Sequence, residues 1–397
     1  MAIDQPTASR PPRAAFYNNP KVRSLAYQSI LCAVILFLIY GATTNAIDHL
    51  RRAQIASGFG FWNTTAGFDI SQTLIDYSAQ GSTYGRAFWV GLLNTLLVAG
   101  LGIVFATILG FIIGISRLSK NWLLAKVAGG YVETIRNIPL LLQLLFWYNA
   151  VLKGLPDLRD SINVGGAVYL NNRGLFLPKP LLQDGFGWVE IAFVAGILAS
   201  IAFHVWARKR QERTGQVAPI ASVTLALVIG LPFVVLLLAG VPIHFESPQG
   251  GRFNITGGIE VLPEFAALLF GLTIYTAAFI AEVVRAGILA VSHGQVEAAY
   301  SLGLKPRPTL RLIVVPQAMR VIIPPLTSQY LNLTKNSTLA VAIGYPDLVQ
   351  VFTGTVLNQT GQAVEVVAIT MLVYLTISLS TSFLMNIYNR RMALVER

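Results

Sequence analysis

The chain of 397 residues is 54% hydrophobic and only 12% charged, with a formal net charge of +11. Soluble globular proteins average about 25% charged residues, so this composition excludes an ordinary soluble domain. Several apolar runs exceed the roughly 18 residues that favour a membrane span over a buried core helix. The sequence therefore predicts an all-α, polytopic membrane protein. Its single cysteine, Cys32, excludes an intrachain disulfide and a multi-cysteine metal site.

Eight apolar runs along the chain are long enough to cross a bilayer as helices. Polar, basic or glycine- and proline-rich segments, which are typical of loops, separate them. We predict transmembrane helices at Leu25–Thr43, Ala87–Ser116, about Gly130–Leu152, Trp188–Ala207, about Pro219–Gly240, Pro263–Ala290, Val321–Tyr345 and Ala363–Ile387.

Residues 1–24 are polar and contain several prolines, so we expect them to be disordered or to lie on the membrane surface. Their basic residues would also suit a secretory signal peptide, with Thr44-Asn45-Ala46 as a weak cleavage site. The first apolar run is longer than the roughly 7–15 residues of a signal peptide. We therefore interpret it as an uncleaved anchor helix.

The basic residues fall mainly on one side of this topology. Because eight spans place both termini on the same side, the positive-inside rule decides which side that is. With the N-terminus inside, most Lys and Arg residues lie in cytoplasmic segments, and the external loops carry fewer despite their greater length. We predict cytoplasmic termini, and we attribute the positive charge to membrane orientation and not to nucleic-acid binding.

The stretch Gln295–Leu326, between the sixth and seventh predicted spans, is polar, basic and rich in proline. Its first part contains helix-forming residues and reaches Gly303, a residue that readily takes the left-handed conformation that closes a helix. Helix-compatible sequence resumes at Arg311–Arg320. We predict two short helices with a sharp turn between them, both lying on the inner membrane surface.

This stretch resembles the cytoplasmic EAA loop of ABC-importer permeases. In that family Glu-Ala-Ala is followed, after three residues, by Gly and, after nine more, by Ile-x-Leu-Pro. The matching positions here are Glu297, Ala298, Ala299, Gly303, Ile313 and Pro316, with Val315 in place of the leucine. The resemblance implies that residues 293–320 couple the chain to an ATPase subunit through Glu297, Ala298, Ala299, Gly303, Arg307, Arg311 and Pro316. The alternative to a coupling loop is an ordinary amphipathic helix at the membrane interface. The alternative role of Arg307 and Arg311 is to fix the orientation of the chain in the membrane.

Two further strings resemble the polar amino-acid branch of that family: Arg136-Asn137-Ile138-Pro139-Leu140, and Pro316-Gln317-Ala318 followed by Arg320. The chain length is similar to that of the larger permease subunit of general L-amino-acid importers. The resemblance implies a five-helix permease core with an additional N-terminal helix and an inserted helix pair. The corresponding segments are 1–86 (N-terminus, first helix and periplasmic loop), 87–152 (core helices two and three), 153–262 (inserted loops and helices four and five) and 263–397 (core helices six to eight).

The same resemblance implies a location and a set of partners. The chain would lie in the bacterial inner membrane beside a second, homologous permease subunit in a heterodimer. It would also contact a dimer of ABC ATPase subunits and a periplasmic amino-acid-binding protein. ATP would be bound by the ATPase subunits, and this chain would carry no cofactor. The expected substrates are L-amino acids, polar and over a broad range, and the alternative is another small polar solute.

Polar residues inside predicted spans are candidates for lining a substrate path, because ionisable groups in a bilayer usually face a cavity or a partner. The candidates are Lys335, Asn336, Ser337, Asn332, Glu282, Arg285, Asn94 and Gln143. A buried Lys335 ammonium could meet a substrate carboxylate or form a structural ion pair. Glu282 and Arg285 share a helix face and could instead form a salt bridge near the cytoplasmic end of their span.

Sequence motifs of catalysis are missing from the chain. It contains neither the P-loop pattern G-x-x-x-x-G-K-[ST] nor H-E-x-x-H, and its four histidines are scattered. We expect no enzymatic activity in this chain. An ion-coupled secondary transporter is the alternative from another class, and it would predict internal repeats with matching broken helices. An integral-membrane enzyme would need a cluster of His, Asp or Cys, which the sequence does not suggest.

Overall fold

The computed structural model describes residues 20–52, 58–251 and 254–392, and the prediction for residues 1–19 lies outside these ranges. Helices dominate the described residues. The α-helices are α1 (Pro20–Arg52), α2 (Tyr84–Ser116), α3 (Trp122–Asn137), α4 (Leu140–Leu145), α5 (Phe186–Thr214), α6 (Ile220–Leu225), α7 (Leu231–Leu238), α8 (Pro263–Leu289), α9 (His293–Ser301), α10 (Pro306–Thr309), α11 (Val315–Asn336), α12 (Leu357–Thr360) and α13 (Ala363–Met392).

Within the described ranges, seven helices are long and apolar enough to cross a membrane, and an eighth span results if the bent pair formed by α3 and α4 counts as one. The seven are Val22–Asn45, Tyr84–Ser116, Phe186–Thr214, Ile220–Leu238, Pro263–Leu289, Pro306–Ile343 and Ala363–Asn389. The predicted all-α polytopic fold with about eight spans is confirmed.

The prediction of a single third helix over about Gly130–Leu152 is wrong. The helix begins earlier, at Trp122, stops at Asn137 and restarts at Leu140, and the two parts meet at an angle of 104°. Pro139 causes the break, because its ring disfavours helical geometry for the preceding residue and it has no N–H to donate. Ile138 is accordingly extended, with φ −97° and ψ 127°.

The prediction of a second short helix on the membrane surface is also wrong. Gly303 does close α9, with φ +75°, and the Leu304 N–H donates to the Ala299 carbonyl at 3.1 Å, as in a Schellman motif. The chain then becomes helical at Pro306 and stays helical into α11. A π-helical turn at Leu310–Val314 precedes Pro316 and accommodates its missing N–H, so the helix continues. The seventh span therefore starts well before Val321.

The two predicted loops that are rich in glycine and proline contain short strands. These are β1 (Ile162–Val164), β2 (Val168–Asn171), β3 (Gly174–Leu177), β4 (Lys179–Leu182), β5 (Ile243–Glu246), β6 (Gln249–Gly250), β7 (Ile255–Thr256) and β8 (Ile259–Val261). A four-stranded antiparallel sheet has the order β1-β2-β3-β8, and β4 pairs with β5. Each strand is too short to give an alternating pattern, and although β3 pairs with the neighbouring β2, its other partner, β8, lies far along the chain.

The core of the bundle is the contact between α2 and α8. Leu268 and Leu272 of α8 are fully buried. Small residues on α2 let the two backbones approach closely. A Cβ atom at Gly110 would lie 2.6 Å from Cβ of Ile280, and one at Gly114 would lie 2.7 Å from the Ala281 carbonyl oxygen. These glycines therefore lie where the two helix backbones approach closely.

A separate helical hairpin is formed by α5 and the helical segment from α6 to α7, which pack mainly against each other. Ser200 and Thr224 share a hydrogen bond of 3.0 Å across the hairpin. The chain enters through β4 and leaves through β5, and the last pair of this ladder is Leu182 with Ile243. The two ends of the hairpin are therefore adjacent.

Candidate functional site

The turn after α9 and the start of the next helix carry exposed apolar side chains. Four side chains of this region are exposed: Tyr300, Leu302, Leu310 and Leu312, which we call the α9 patch. Leu302 is the extreme case, with 82% of its surface exposed. Ala299 faces the other way and is buried, which fixes α9 on the start of the next helix. An exposed apolar cluster of this kind marks a surface for a partner.

Charged groups surround the α9 patch. Glu297 is exposed and its carboxylate lies 2.9 Å from Nδ1 of His293, one turn earlier on α9. Arg307 and Arg311 are exposed on the following helix, and Ala298 is exposed beside Glu297. Pro316 is half-buried at the start of α11. The structure thus brings the predicted coupling residues to one end of the bundle.

Glu282 joins two helices through an ion pair with two arginines. Its carboxylate accepts from Arg285 at 2.6 Å on the same helix and from Arg117, the residue that caps the C-terminal end of α2. All three side chains are one-third exposed or less. Arg117 was not among the predicted site residues, although its position directly after a predicted span offered a signal.

The side chain of Gln143 binds carbonyl groups at the helix break before Pro139. It is buried, and its side-chain amide donates to the carbonyls of Ile135 and Ile138, each at 2.9 Å. These are carbonyls that the broken helix leaves without their usual partners. The Oε1 atom of Gln143 has no hydrogen-bond partner among the described residues.

Asn94 and Thr95 hold the turn that follows the seventh span. The Asn94 amide donates to the carbonyls of Gln72 and Pro346 at 2.9 Å, and the hydroxyl of Thr95 accepts from the Leu348 N–H at 3.0 Å. Asp347 in the same turn is fully buried. Its carboxylate accepts from the Gln350 N–H at 2.8 Å and from the Tyr374 hydroxyl at 3.3 Å. Asp347 was not among the predicted site residues, because it lies in a turn just outside the predicted seventh span.

One face of α11 is polar and uncovered by the rest of the chain. Ser328, Asn332 and Lys335 follow one another at helical spacings of three and four residues, and all three are exposed. Ser337, in contrast, is buried and donates to the Thr334 carbonyl at 2.7 Å, and Asn336 is half-buried. Among the described residues Lys335 forms no salt bridge.

The predicted path residues therefore do not form one cluster. Asn94, Gln143 and the pair of Glu282 with Arg285 lie in three separate internal contacts, whereas Asn332 and Lys335 lie on an open face. In the part of the chain that the structure describes, no group of three His, Cys, Asp or Glu side chains could hold a metal ion. A bundle of spans with an uncovered polar face and an exposed helical turn at one end has the organisation of a transport permease.

Comparisons with known proteins agree with this class. The model of the family "Binding-protein-dependent transport system inner membrane component" matches residues 212–394. The general L-amino acid transport system permease protein AapQ of Rhizobium johnstonii is 53% identical over 385 residues, which cover 97% of this chain and 96% of the relative. The putative amino-acid ABC transporter permease protein YhdX of Escherichia coli is 52% identical over 96% of this chain and 97% of its own length.

A third relative is more distant and also matches along its whole length. The glutamate/glutamine/aspartate/asparagine transport system permease protein BztB of Rhodobacter capsulatus is 42% identical, over 98% of this chain and 99% of its own. The chain belongs to the family of amino-acid ABC transporter permeases. The resemblance seen in the EAA-like stretch is thereby confirmed, and the alternatives of an ion-coupled secondary transporter and a membrane enzyme are not supported.

Proposed function

We propose that this chain is the membrane-spanning subunit of an ATP-driven importer that carries polar L-amino acids over a broad range into the cytoplasm. The observation that carries the proposal is the likeness along the whole chain to permeases named for general L-amino-acid transport and for transport of glutamate, glutamine, aspartate and asparagine. The substrate would arrive on a periplasmic binding protein. The permease itself makes and breaks no covalent bond.

The α9 patch and its charged surroundings support a role in coupling. A short helix pair with exposed apolar side chains fits a groove on a partner protein. We propose that Glu297, Ala298, Gly303, Arg307 and Arg311 contact an ATPase subunit there. Ala299 and Pro316 would act by holding the two helices together. ATP would be bound and hydrolysed by a dimer of these partners, with no cofactor in this chain.

The open polar face of α11 supports a role in the substrate path. Polar and charged side chains on a membrane helix face a cavity or another subunit, because facing lipid is costly. We propose that Ser328, Asn332 and Lys335 line the path at the boundary with a second, homologous permease subunit. Asn94, Gln143, Glu282 and Arg285 would act indirectly, because their side chains are engaged in contacts that join helices.

The basic residues support an orientation with both termini in the cytoplasm of a bacterium, and with β1 to β8 on the periplasmic side. In this orientation the α9 patch faces the cytoplasm, where an ATPase subunit could reach it. The sheet would then lie on the side from which the binding protein delivers its amino acid.

The test is co-purification from mildly solubilised membranes, with the ATPase and partner permease co-expressed. Gly303→Pro cannot adopt φ +75° and removes the N–H that donates to Tyr300. Gly294→Ala changes a glycine of the same helix where a Cβ atom would meet only Oγ of Ser292, at an ordinary contact distance of 3.7 Å. We expect wild type and Gly294→Ala to retain the ATPase, and Gly303→Pro to lose it while remaining inserted.

Uptake into proteoliposomes completes the test. The wild-type assembly with its binding protein should accumulate acidic and neutral polar L-amino acids only when ATP is supplied. Retention of the ATPase by Gly303→Pro would contradict the coupling assignment, and ATP-independent uptake would contradict the proposed function as a whole.

A further inference from the structure

Two oppositely charged side chains on α3 have no salt-bridge partner. Glu133 and Arg136 are one helical turn apart, so they project from the same face of the helix, with Cβ atoms about 5–6 Å apart. Both are exposed. Among the residues that the structure describes, neither forms a salt bridge, with each other or with a third group.

The pair lies at the level of the bilayer. The Arg136 guanidinium stacks on the ring of Phe279, 4.9 Å from its centre. Phe279 lies about 24 Å along α8 from Pro263, at 1.5 Å per residue, on a helix long enough to cross the membrane. Charged groups at such a depth cost several kcal/mol unless they face water, a partner or a charged ligand. An uncompensated pair is therefore a candidate binding site.

Every α-amino acid carries the chemistry that would satisfy this pair. Its carboxylate and its ammonium are attached to the same carbon atom, so the two opposite charges are close together in every substrate. A guanidinium binds a carboxylate through two parallel hydrogen bonds. A carboxylate such as Glu133 accepts from an ammonium. A carrier with a broad range must recognise this shared part, because the side chains differ.

We infer that Glu133 and Arg136 form a subsite that binds the zwitterionic backbone of the transported amino acid, Arg136 through its carboxylate and Glu133 through its ammonium. This inference rests on the proposed function and specifies how one site can serve substrates with different side chains.

The surroundings hold the Arg136 side chain, and the helix that carries both groups, in place. The cation–π contact with Phe279 restrains the Arg136 side chain. The end of α3 is fixed by the break at Pro139 and by Gln143, whose amide binds the carbonyls of Ile135 and Ile138. The Tyr131 hydroxyl donates to the Ile274 carbonyl at 2.6 Å and ties the same helix to α8. A site restrained in this way loses little entropy when a ligand binds.

The experiment measures uptake by the complete assembly of this chain, its partner permease, the ATPase and the binding protein in proteoliposomes. The variants are Arg136→Gln and Glu133→Gln, which remove one charge each, and Arg136→Lys, which keeps the charge. Lys126→Gln is the matched control, because it removes a positive charge from an exposed position of the same helix about 15 Å away. Radiolabelled glutamate, glutamine and asparagine are compared.

We expect Arg136→Gln to reduce uptake at least about tenfold, the loss expected for a hydrogen bond to a charged group, and by the same factor for all three amino acids. Glu133→Gln should show the same independence of side chain, Arg136→Lys should recover part of the rate, and Lys126→Gln should transport normally. Equal co-purification of the ATPase by every variant shows that the assembly is intact.

Two results would overturn the inference and leave the proposed function standing. The first is uptake by Arg136→Gln at the wild-type rate. The second is a loss of uptake for glutamate alone, which would show that Arg136 binds the side chain of the substrate. A variant that no longer assembles with its partner permease would assign the pair to the subunit interface and would also overturn the inference. Failure of the wild-type assembly to transport any amino acid would instead contradict the proposed function.

Discussion

The side-chain amide of Asn94 donates to the backbone carbonyl of Pro346 at 2.9 Å and so joins α2 to the turn that follows the seventh span. The same amide donates to the Gln72 carbonyl at 2.9 Å. A single buried side chain therefore connects three segments that are far apart in sequence. This contact explains why an asparagine lies inside a membrane span without lining a path.

Replacing Asn94 with alanine should destabilise the chain. The carbonyls of Gln72 and Pro346 would lose their shared donor, and each unpaired buried acceptor costs about 1–3 kcal/mol. We expect a lower midpoint in thermal unfolding of the purified chain in detergent, followed by tryptophan fluorescence. Asn149→Ala, at an exposed position, should leave the midpoint unchanged, and an equal effect of both variants would contradict the role of Asn94.

The contact between α2 and α8 should tolerate no additional atom at Gly114. A Cβ atom there would lie 2.7 Å from the Ala281 carbonyl oxygen and 2.8 Å from Cβ of Val284. Overpacking of this kind costs about 1–3 kcal/mol, so Gly114→Ala should lower the unfolding midpoint. Gly100→Ala is the control, because nothing lies within 4 Å of a Cβ at that position of the same helix. We expect it to be neutral or stabilising.

Glu282→Gln should lower the stability of the chain far more than the loss of a surface carboxylate does. Arg117 and Arg285 would both lose their charged partner in a partly buried place, and breaking such a pair costs about 2 kcal/mol or more. The comparison is Glu212→Gln, whose partner Arg208 lies 3.4 Å away in a pair that is 66–78% exposed and worth about 0–1 kcal/mol. The measurement is the midpoint of thermal unfolding, which should be lower for Glu282→Gln than for Glu212→Gln. Similar midpoints would show that the Glu282 contact contributes little to stability.

A charge in the α9 patch should weaken binding of the ATPase without affecting the fold. Leu302 is 82% exposed, so Leu302→Asp disturbs no internal packing. We expect it to lose the co-purified ATPase, because the apolar contact would have to bury a carboxylate. Val217→Asp, at a position that is 76% exposed in the segment between α5 and α6, should retain it. Retention by both variants would place the ATPase contact elsewhere.

The sequence was sufficient for the approximate number of spans and for the α9 turn, because both depend on local patterns. Long apolar runs identify a membrane helix, and Gly303 marks a helix end wherever the rest of the chain lies. The break at Ile138 and Pro139 was not predicted, although a proline inside a helical pattern lacks the N–H that the helix needs. In the structure the break is marked by Gln143, whose amide binds the carbonyls of Ile135 and Ile138 that precede Pro139.

The contacts between segments that are distant in the sequence could not be predicted from local patterns. Pairing of Arg117 with Glu282 and of β3 with β8 depends on which helices are neighbours, which periodicity does not reveal. The exposed face of α11 could be recognised only when the covered faces were known. Lys335 lies in the seventh span as predicted, but that span starts earlier than the apolar pattern indicated.

The hairpin of α5 to α7 has a consequence for the history of this chain. Since β4 and β5 pair up to Leu182 and Ile243, the hairpin leaves and rejoins the rest of the protein at neighbouring points. One genetic insertion between those two residues could add both helices without moving any other span, and one deletion could remove them. Larger and smaller permeases could thus arise from a common ancestor in a single event.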